Sequence, residues 1–273
     1  MIPEKYGIKP KPSKDQHFLT NPEIVERIVS ISRIKPKDSV LEIGAGPGIL
    51  TEHLVKTRAK ITAVEMDRNF KSILNKLDHE NLQIIYDNIL KIIDTLDFSK
   101  VVSNIPYSIC EPLLGKLLKR NFDLAVLSIP EKFYRRVSSK PGEKYYSLLT
   151  LKANSFFKIL FKFRISKEDF YPKPKTESVV VLIKPLSRKD YQKTTEKFVF
   201  REIFLQRKKK LKNSLMEAII NLNKKILVKD FTKNMARGVM GKMGLNRDLL
   251  EKGAKEMGLK DFEKLKEKLR VSL

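Results

Sequence analysis

Ser39-Val40-Leu41-Glu42-Ile43-Gly44-Ala45-Gly46-Pro47-Gly48 is an apolar run that enters a glycine loop. The first five residues read as a buried strand. The alternate glycines that follow let backbone approach a ligand closely, and the next segment has helical character. Strand, glycine loop and helix make the opening unit of an α/β sheet that holds a nucleoside cofactor at its edge. A dinucleotide site asks for G-x-G-x-x-G and so for glycine at 49, where Ile49 stands. The spacing Glu42-x-Gly44-x-Gly46-x-Gly48 suits a ligand without a pyrophosphate and disfavours a nicotinamide-dependent oxidoreductase.

Outward from this loop the chain alternates. Apolar runs at 60–65, 82–86, 99–103 and 123–129 read as further buried strands, and helical segments fall near 48–58, 68–77, 108–120 and 131–138. Upstream, Asn21-Pro22 caps a helix that runs to about Ile31. Downstream, runs at 156–163 and 178–184 have no helix between them and suit an antiparallel edge. The expected fold is a doubly wound, mostly parallel, seven-stranded Rossmann-like sheet. Past Pro185 the pattern turns helical, at 190–205, 209–222 and 260–270, with glycines 238, 241 and 244 as breaks. The expected organisation is a basic arm over 1–15, an α/β domain over 16–185 and a small helical domain over 186–273.

The chain has 273 residues and is 41% hydrophobic, enough for a large core. It carries 56 Lys and Arg against 32 Asp and Glu, a net charge of +24. More than half of that excess lies past Pro185, where 24 basic residues face 11 acidic ones over 88 positions. Such one-sided charge attracts polyanions, nucleic acid above all. No apolar window is long enough to span a membrane, and no signal peptide is expected. The single cysteine, Cys110, excludes an internal disulfide and fits a reducing, cytoplasmic setting. His53 and His79 stand isolated, so no metal site is expected.

Candidate ligand-binding residues follow from strand ends. The glycines 44, 46 and 48 form the cradle. Ala63-Val64-Glu65-Met66-Asp67 closes the second strand, and an acid there accepts hydrogen bonds from both ribose hydroxyls of a nucleoside. Asp87 and Asn88 close the third run and can reach an adenine amine. Sixty residues past the loop, Lys100-Val101-Val102-Ser103 leads into Asn104-Ile105-Pro106-Tyr107. Alone, this is an Asn-x-Pro turn. Behind a strand and downstream of a cofactor cradle it is a clamp for a planar amine. Asn104 offers a side-chain oxygen, Ile105 a carbonyl aimed by the rigid Pro106, and Tyr107 a stacking face. Two acceptors on an aromatic amine draw its delocalised lone pair towards a methyl donor. A base in structured nucleic acid must be flipped out to reach such a clamp, and a second aromatic should sandwich it. Asp169-Phe170-Tyr171-Pro172-Lys173-Pro174-Lys175 supplies Phe170 or Tyr171, with Lys173 and Lys175 for phosphate. Arg207-Lys208-Lys209-Lys210-Leu211-Lys212 reads as a phosphate-binding helix start.

These motifs, with Gln16-His17-Phe18-Leu19, Lys140 to Lys144 and Asn213-Ser214-Leu215, make the chain resemble the ribosomal RNA adenine dimethyltransferases of the KsgA type. The 140–144 stretch is similar to archaeal and eukaryotic members. The resemblance runs from Gln16 to about residue 215. It implies transfer of four methyl groups from S-adenosylmethionine to two adjacent adenosines of small-subunit rRNA. It also implies that His17, Leu19, Gly44, Glu65, Asp87 and Asn104 contact the cofactor, and that Asn104, Tyr107 and Phe170 hold the base. Relatives carry a Gln-basic-Glu stretch after the fifth strand, and Pro130-Glu131-Lys132 stands there instead. Two other readings share these residues: an assembly factor that binds the immature small ribosomal subunit, and a methylase of large-subunit rRNA. Nothing in the sequence calls for more than a monomer.

Overall fold

The structure is a computed structural model and describes residues 10–11, 15–206 and 208–272. Apart from 10, 11 and 15, the expected arm over 1–15 lies outside the described residues, as does Arg207.

The apolar runs become β2 (Ser39–Ile43), β3 (Lys60–Val64), β4 (Leu82–Ile85), β5 (Lys100–Asn104), β6 (Leu124–Pro130), β7 (Phe157–Ile165) and β9 (Ser178–Pro185). They form one seven-stranded sheet in the order β4-β3-β2-β5-β6-β9-β7. β2 to β6 pair in parallel, while β9 runs antiparallel to β6 with Leu127 opposite Val181. The central strands are aliphatic on both faces, as a sheet covered by crossover helices requires. Val40, Leu41, Ile43, Ile61, Val101 and Val126 are all buried. β1 (Phe18–Leu19) and β8 (Phe170–Tyr171) make a separate two-stranded pair, with Phe18 opposite Tyr171 and Leu19 opposite Phe170. Asn21 caps helix Pro22–Ile31, its side chain accepting the Glu23 N–H at 3.0 Å.

The order reverses at β2. The chain winds outward through β3 and β4, then returns to lay β5 on the other side of β2. Right-handed crossovers then put the helices of the two halves on opposite faces and open a crevice at the carboxyl ends of β2 and β5. That topology brings residues 44–48 and 104–107 together.

The chain divides into two compact units, and the boundary is not the one the sequence suggests. One unit is Met1–Arg135 with Lys158–Pro185; the other is Arg136–Phe157 with Leu186–Leu273. Helix Leu148–Phe156, absent from the sequence reading, therefore belongs with the helical unit. The Tyr191 hydroxyl donates to the Ser155 carbonyl at 3.0 Å, and helix Thr195–Leu205 packs against this helix. The unit's centre is aromatic: Phe262 stacks on Phe204 at 4.8 Å and meets Phe200 edge-on at 5.5 Å. The expected helix over 190–205 is two helices, Arg188–Lys193 and Thr195–Leu205. Gly238 and Gly241 do not break the chain. They lie inside helix Lys233–Lys242, and only Gly244, at φ +58°, follows its end.

Candidate active site

A cavity of about 410 Å³ opens at the crevice between β2 and β5. Gly44, Gly46, Glu65, Met66, Asp67, Asp87, Asn88 and Asn104 to Tyr107 line it, with His17 and Phe18 among its walls. Most of the residues expected to hold a cofactor and an amine thus share one space.

The cradle is glycine for steric reasons. Gly44 has φ +72°, and a Cβ there would sit 3.1 Å from Pro106 Cγ, so the loop and the clamp are in direct contact. Gly46 has φ +55° and lies under the Phe18 ring, 2.9 Å from where its Cβ would be. Gly48 does not line the cavity. A Cβ there would meet Leu77 Cδ1 at 2.6 Å, so this glycine serves packing rather than ligand contact.

Glu65 reaches back over the loop. Its two oxygens accept the Gly46 N–H at 2.8 Å and the Asp67 N–H at 2.6 Å. Burial raises its pKa, and those two N–H groups oppose the rise. Glu42 lies deeper, its Oε2 accepting the Thr51 hydroxyl at 2.6 Å. Burial pushes its carboxyl up to about 8, and the charge of Glu65 adds to the effect. Asp87 Oδ1 accepts the Asn88 N–H at 2.6 Å, and Asn88 Oδ1 caps helix Ile89–Ile92 through the Leu90 N–H at 2.9 Å. Met66 lines the cavity and is 66% exposed, an unusual position for so apolar a side chain.

The clamp is organised from the N-terminal side. Asn104 Nδ2 donates to the His17 carbonyl at 2.9 Å, which fixes the amide's orientation. Asn104 Oδ1 is buried and has no partner among the described residues. The Tyr107 ring stacks on His17, with centroids 5.7 Å apart at 28°. Its hydroxyl shares a 2.6 Å hydrogen bond with Ser178 Oγ, and burial raises its pKa. His17 Nδ1 bonds the Pro172 carbonyl at 2.7 Å, Gln16 Nε2 donates to Asp67 Oδ2 at 2.8 Å, and the Ser108 N–H donates to Asp15 Oδ2 at 2.9 Å. Residues 15–18 therefore strap the cradle to the clamp. Asp15, Gln16 and Ser108 did not stand out as single residues in the sequence; the only signal was the Gln16-His17-Phe18-Leu19 motif.

Two residues expected at the site lie outside the cavity. Phe170 is 4% exposed, does not line the cavity, and packs in the core with Leu19, Val25 and Ile165. In β8 its neighbour Tyr171 takes the outward side and is 40% exposed. Leu19 is likewise core and lines only a small adjoining void of about 30 Å³ beside Glu42 and Asn104. The basic candidates are exposed but mostly paired. Lys173 pairs with Glu168, Lys209 with Glu217 at 2.7 Å, and Lys210 and Lys212 both with Glu251, at 2.7 and 2.6 Å. The two lysines hold the Glu251 carboxyl down at about 2. Lys175 and Lys208 are exposed. Pro130 ends β6 opposite Ser178, and Glu131 accepts from Arg135 at 2.9 Å and Arg164 at 3.0 Å. Burial pushes the Cys110 thiol up to about 12, leaving it unreactive. Among the described residues no group of His, Cys, Asp or Glu could hold a metal ion, and no helix is long and apolar enough to cross a membrane.

Known proteins resemble this chain in sequence and in fold. The chain is 38% identical over 226 residues to a probable ribosomal RNA small subunit methyltransferase A of Pyrococcus furiosus, covering 82% of each chain. It is 36% identical to the ribosomal RNA small subunit methyltransferase A of Thermotoga neapolitana, over 78% of this chain and 82% of that one. A dimethyladenosine transferase from Plasmodium falciparum superposes with a TM-score of 0.61 at 27% identity, over 93% of this chain and 98% of that one. The 23S rRNA methyltransferase ErmE superposes at 0.57 with 20% identity over 93% and 99%, a likeness of fold. Residues 7–244 match the ribosomal RNA adenine dimethylase family, and the chain belongs to it.

Proposed function

We propose that this protein transfers methyl groups from S-adenosylmethionine to the exocyclic amines of two adjacent adenosines near the 3′ end of small-subunit rRNA, during subunit assembly. The observation that carries the reading is Asn104: its Nδ2 is committed to His17, and its buried Oδ1 is left without a partner at the cavity wall. A buried oxygen without a donor costs about 1–3 kcal/mol, and an amine hydrogen would repay it. The names of the Pyrococcus and Thermotoga relatives support small-subunit rRNA as substrate, and the Plasmodium transferase supports dimethyladenosine as product.

The cavity residues fit the cofactor. Gly44 and Gly46 present bare backbone, Glu65 has lone pairs left for ribose hydroxyls, and Asp87 with Met66 can take the edge and face of an adenine. When bound, S-adenosylmethionine supplies an electrophilic methyl on a sulfonium sulfur. The chain does the rest by placement. Asn104 Oδ1 and the Ile105 carbonyl accept the two amine hydrogens and draw the nitrogen towards tetrahedral geometry. Tyr107, fixed by Ser178, stacks on the base. No strong base is required, because the amine becomes acidic only once methylated, and its proton then passes to water. Exposed lysines at 173, 175, 208–210 and 212 would neutralise RNA phosphates, with exposed pairs such as Lys212–Glu251 exchanging at little cost. The enzyme would work as a monomer in the cytoplasm, where a lone buried thiol is stable.

Incubating the protein with labelled S-adenosylmethionine and undermethylated small subunits, followed by nucleoside analysis, tests the reading. Dimethyladenosine in small-subunit rRNA, and none in large subunits, is expected. A subunit that is bound but never methylated would favour the assembly-factor reading instead.

A further inference from the structure

The helical unit carries an opening of its own. It has a volume of about 390 Å³ and lies between helices Leu211–Asn221 and Lys233–Lys242 and the following segment to Leu250. Its floor is half-buried and apolar: Met216, Met240, Leu245 and Leu250. Its rim is exposed and polar: Lys212, Asn213 and Arg237. Gly241 forms part of the wall, and a Cβ there would meet nothing within 4 Å. Over 208–251 eleven basic residues face four acidic ones, so the opening sits in a strongly cationic stretch.

Thioethers and leucines under a cationic rim match a ligand with flat apolar faces and a negatively charged backbone. Thioether sulfur is attracted to aromatic rings, and the Asn213 amide offers both a donor and an acceptor to a base edge. The volume suits one nucleotide. We propose that this opening holds one unpaired nucleobase of the RNA substrate, with the flanking phosphates on Lys212 and Arg237. The proposal rests on the reading that the substrate is RNA, and it adds a second, non-reacting base contact outside the clamp. Because it relies on stacking, this contact tolerates any base.

The test uses the full chain and two probes: an oligouridylate of roughly ten nucleotides and a blunt RNA duplex of similar length. Uracil has no exocyclic amine, so the oligouridylate does not engage the clamp chemistry. Gly241→Leu fills the opening, and because leucine is the better helix former the Tm should stay level or rise. Gly241→Leu is expected to weaken oligouridylate binding about tenfold while duplex affinity stays within about twofold. Arg237→Ala should weaken both and flatten the salt dependence. Unchanged oligouridylate affinity in Gly241→Leu would overturn the proposal. So would weaker binding to small subunits alone, which would mean that the opening takes a protein side chain. If Gly241→Leu unfolds, photocrosslinking of 4-thiouridine-substituted oligouridylate to the unaltered chain decides: adducts at Met216 or Met240 support the proposal, and adducts only elsewhere overturn it. Absence of dimethyladenosine formation by the unaltered chain, with these binding effects intact, would refute the methylation reading and leave the base pocket standing.

Discussion

Asn104 is useful because one half of its amide is spent. The His17 carbonyl takes the donor, and the buried acceptor has no partner among the described residues. Asn104→Ala should therefore cost about 10²–10³ in kcat, as removal of a single preorganised polar group does elsewhere, with subunit affinity nearly unchanged. Single-turnover methylation beside filter binding would check this, and an equal loss of both would refute the clamp. Glu42 makes a pH prediction. Its folded carboxyl keeps a proton up to about pH 8, whereas a free glutamate releases it near 4.5. Between those values the folded state binds more protons, so stability is fullest below about pH 4.5 and declines as pH rises through 8. Glu42→Gln should flatten that decline in denaturant melts at pH 5 to 8. Of these residues, Asn104, Gly44 and Gly46 were legible because their spacing is tied to strand ends. Phe170 was not: in a strand, Phe170 and Tyr171 point to opposite faces, and the local sequence does not reveal which side is core.

Among elements, the seven strands of the large sheet were legible, the central ones because strands buried on both faces are unbroken aliphatic runs, while the two-residue strands β1 and β8 were not. Helix Leu148–Phe156 was not. It buries Thr150 and Ser155 beside Leu151 and Phe156, so it shows no clean apolar stripe. Its capping box pairs Ser147 with Thr150, where the usual signature has glutamate or glutamine. The glycines of helix Lys233–Lys242 misled for the opposite reason: glycine lowers helix propensity without forbidding a helix that packing supports. Gly238 is exposed with open space at its Cβ. Gly238→Ala should thus stabilise the helix by about 0.5–1 kcal/mol, visible as a raised Tm.

At the scale of the whole molecule, charge and chain order dominate. Replacing Lys208, Lys209, Lys210 and Lys212 by glutamine should weaken RNA binding and lower its salt slope by about one for each phosphate no longer neutralised. A slope unchanged across a salt titration would mean that these lysines only solvate the surface. Composition placed the helical unit past Pro185 but could not show that it also claims residues 136–157, since that claim is made by three-dimensional packing. The interleaving has a consequence for synthesis and for dissection. When β9 leaves the ribosome, the first unit has its whole chain, yet the intervening segment still waits for partners further downstream, such as Tyr191 and helix Thr195–Leu205. A chain cut after Pro185 should accordingly carry helix Leu148–Phe156 as an orphan, with Leu151 and Phe156 uncovered, and should bind a hydrophobic dye or aggregate where the full chain does not. The two units cannot be shuffled as cassettes: a viable exchange must swap both pieces of the helical unit at once.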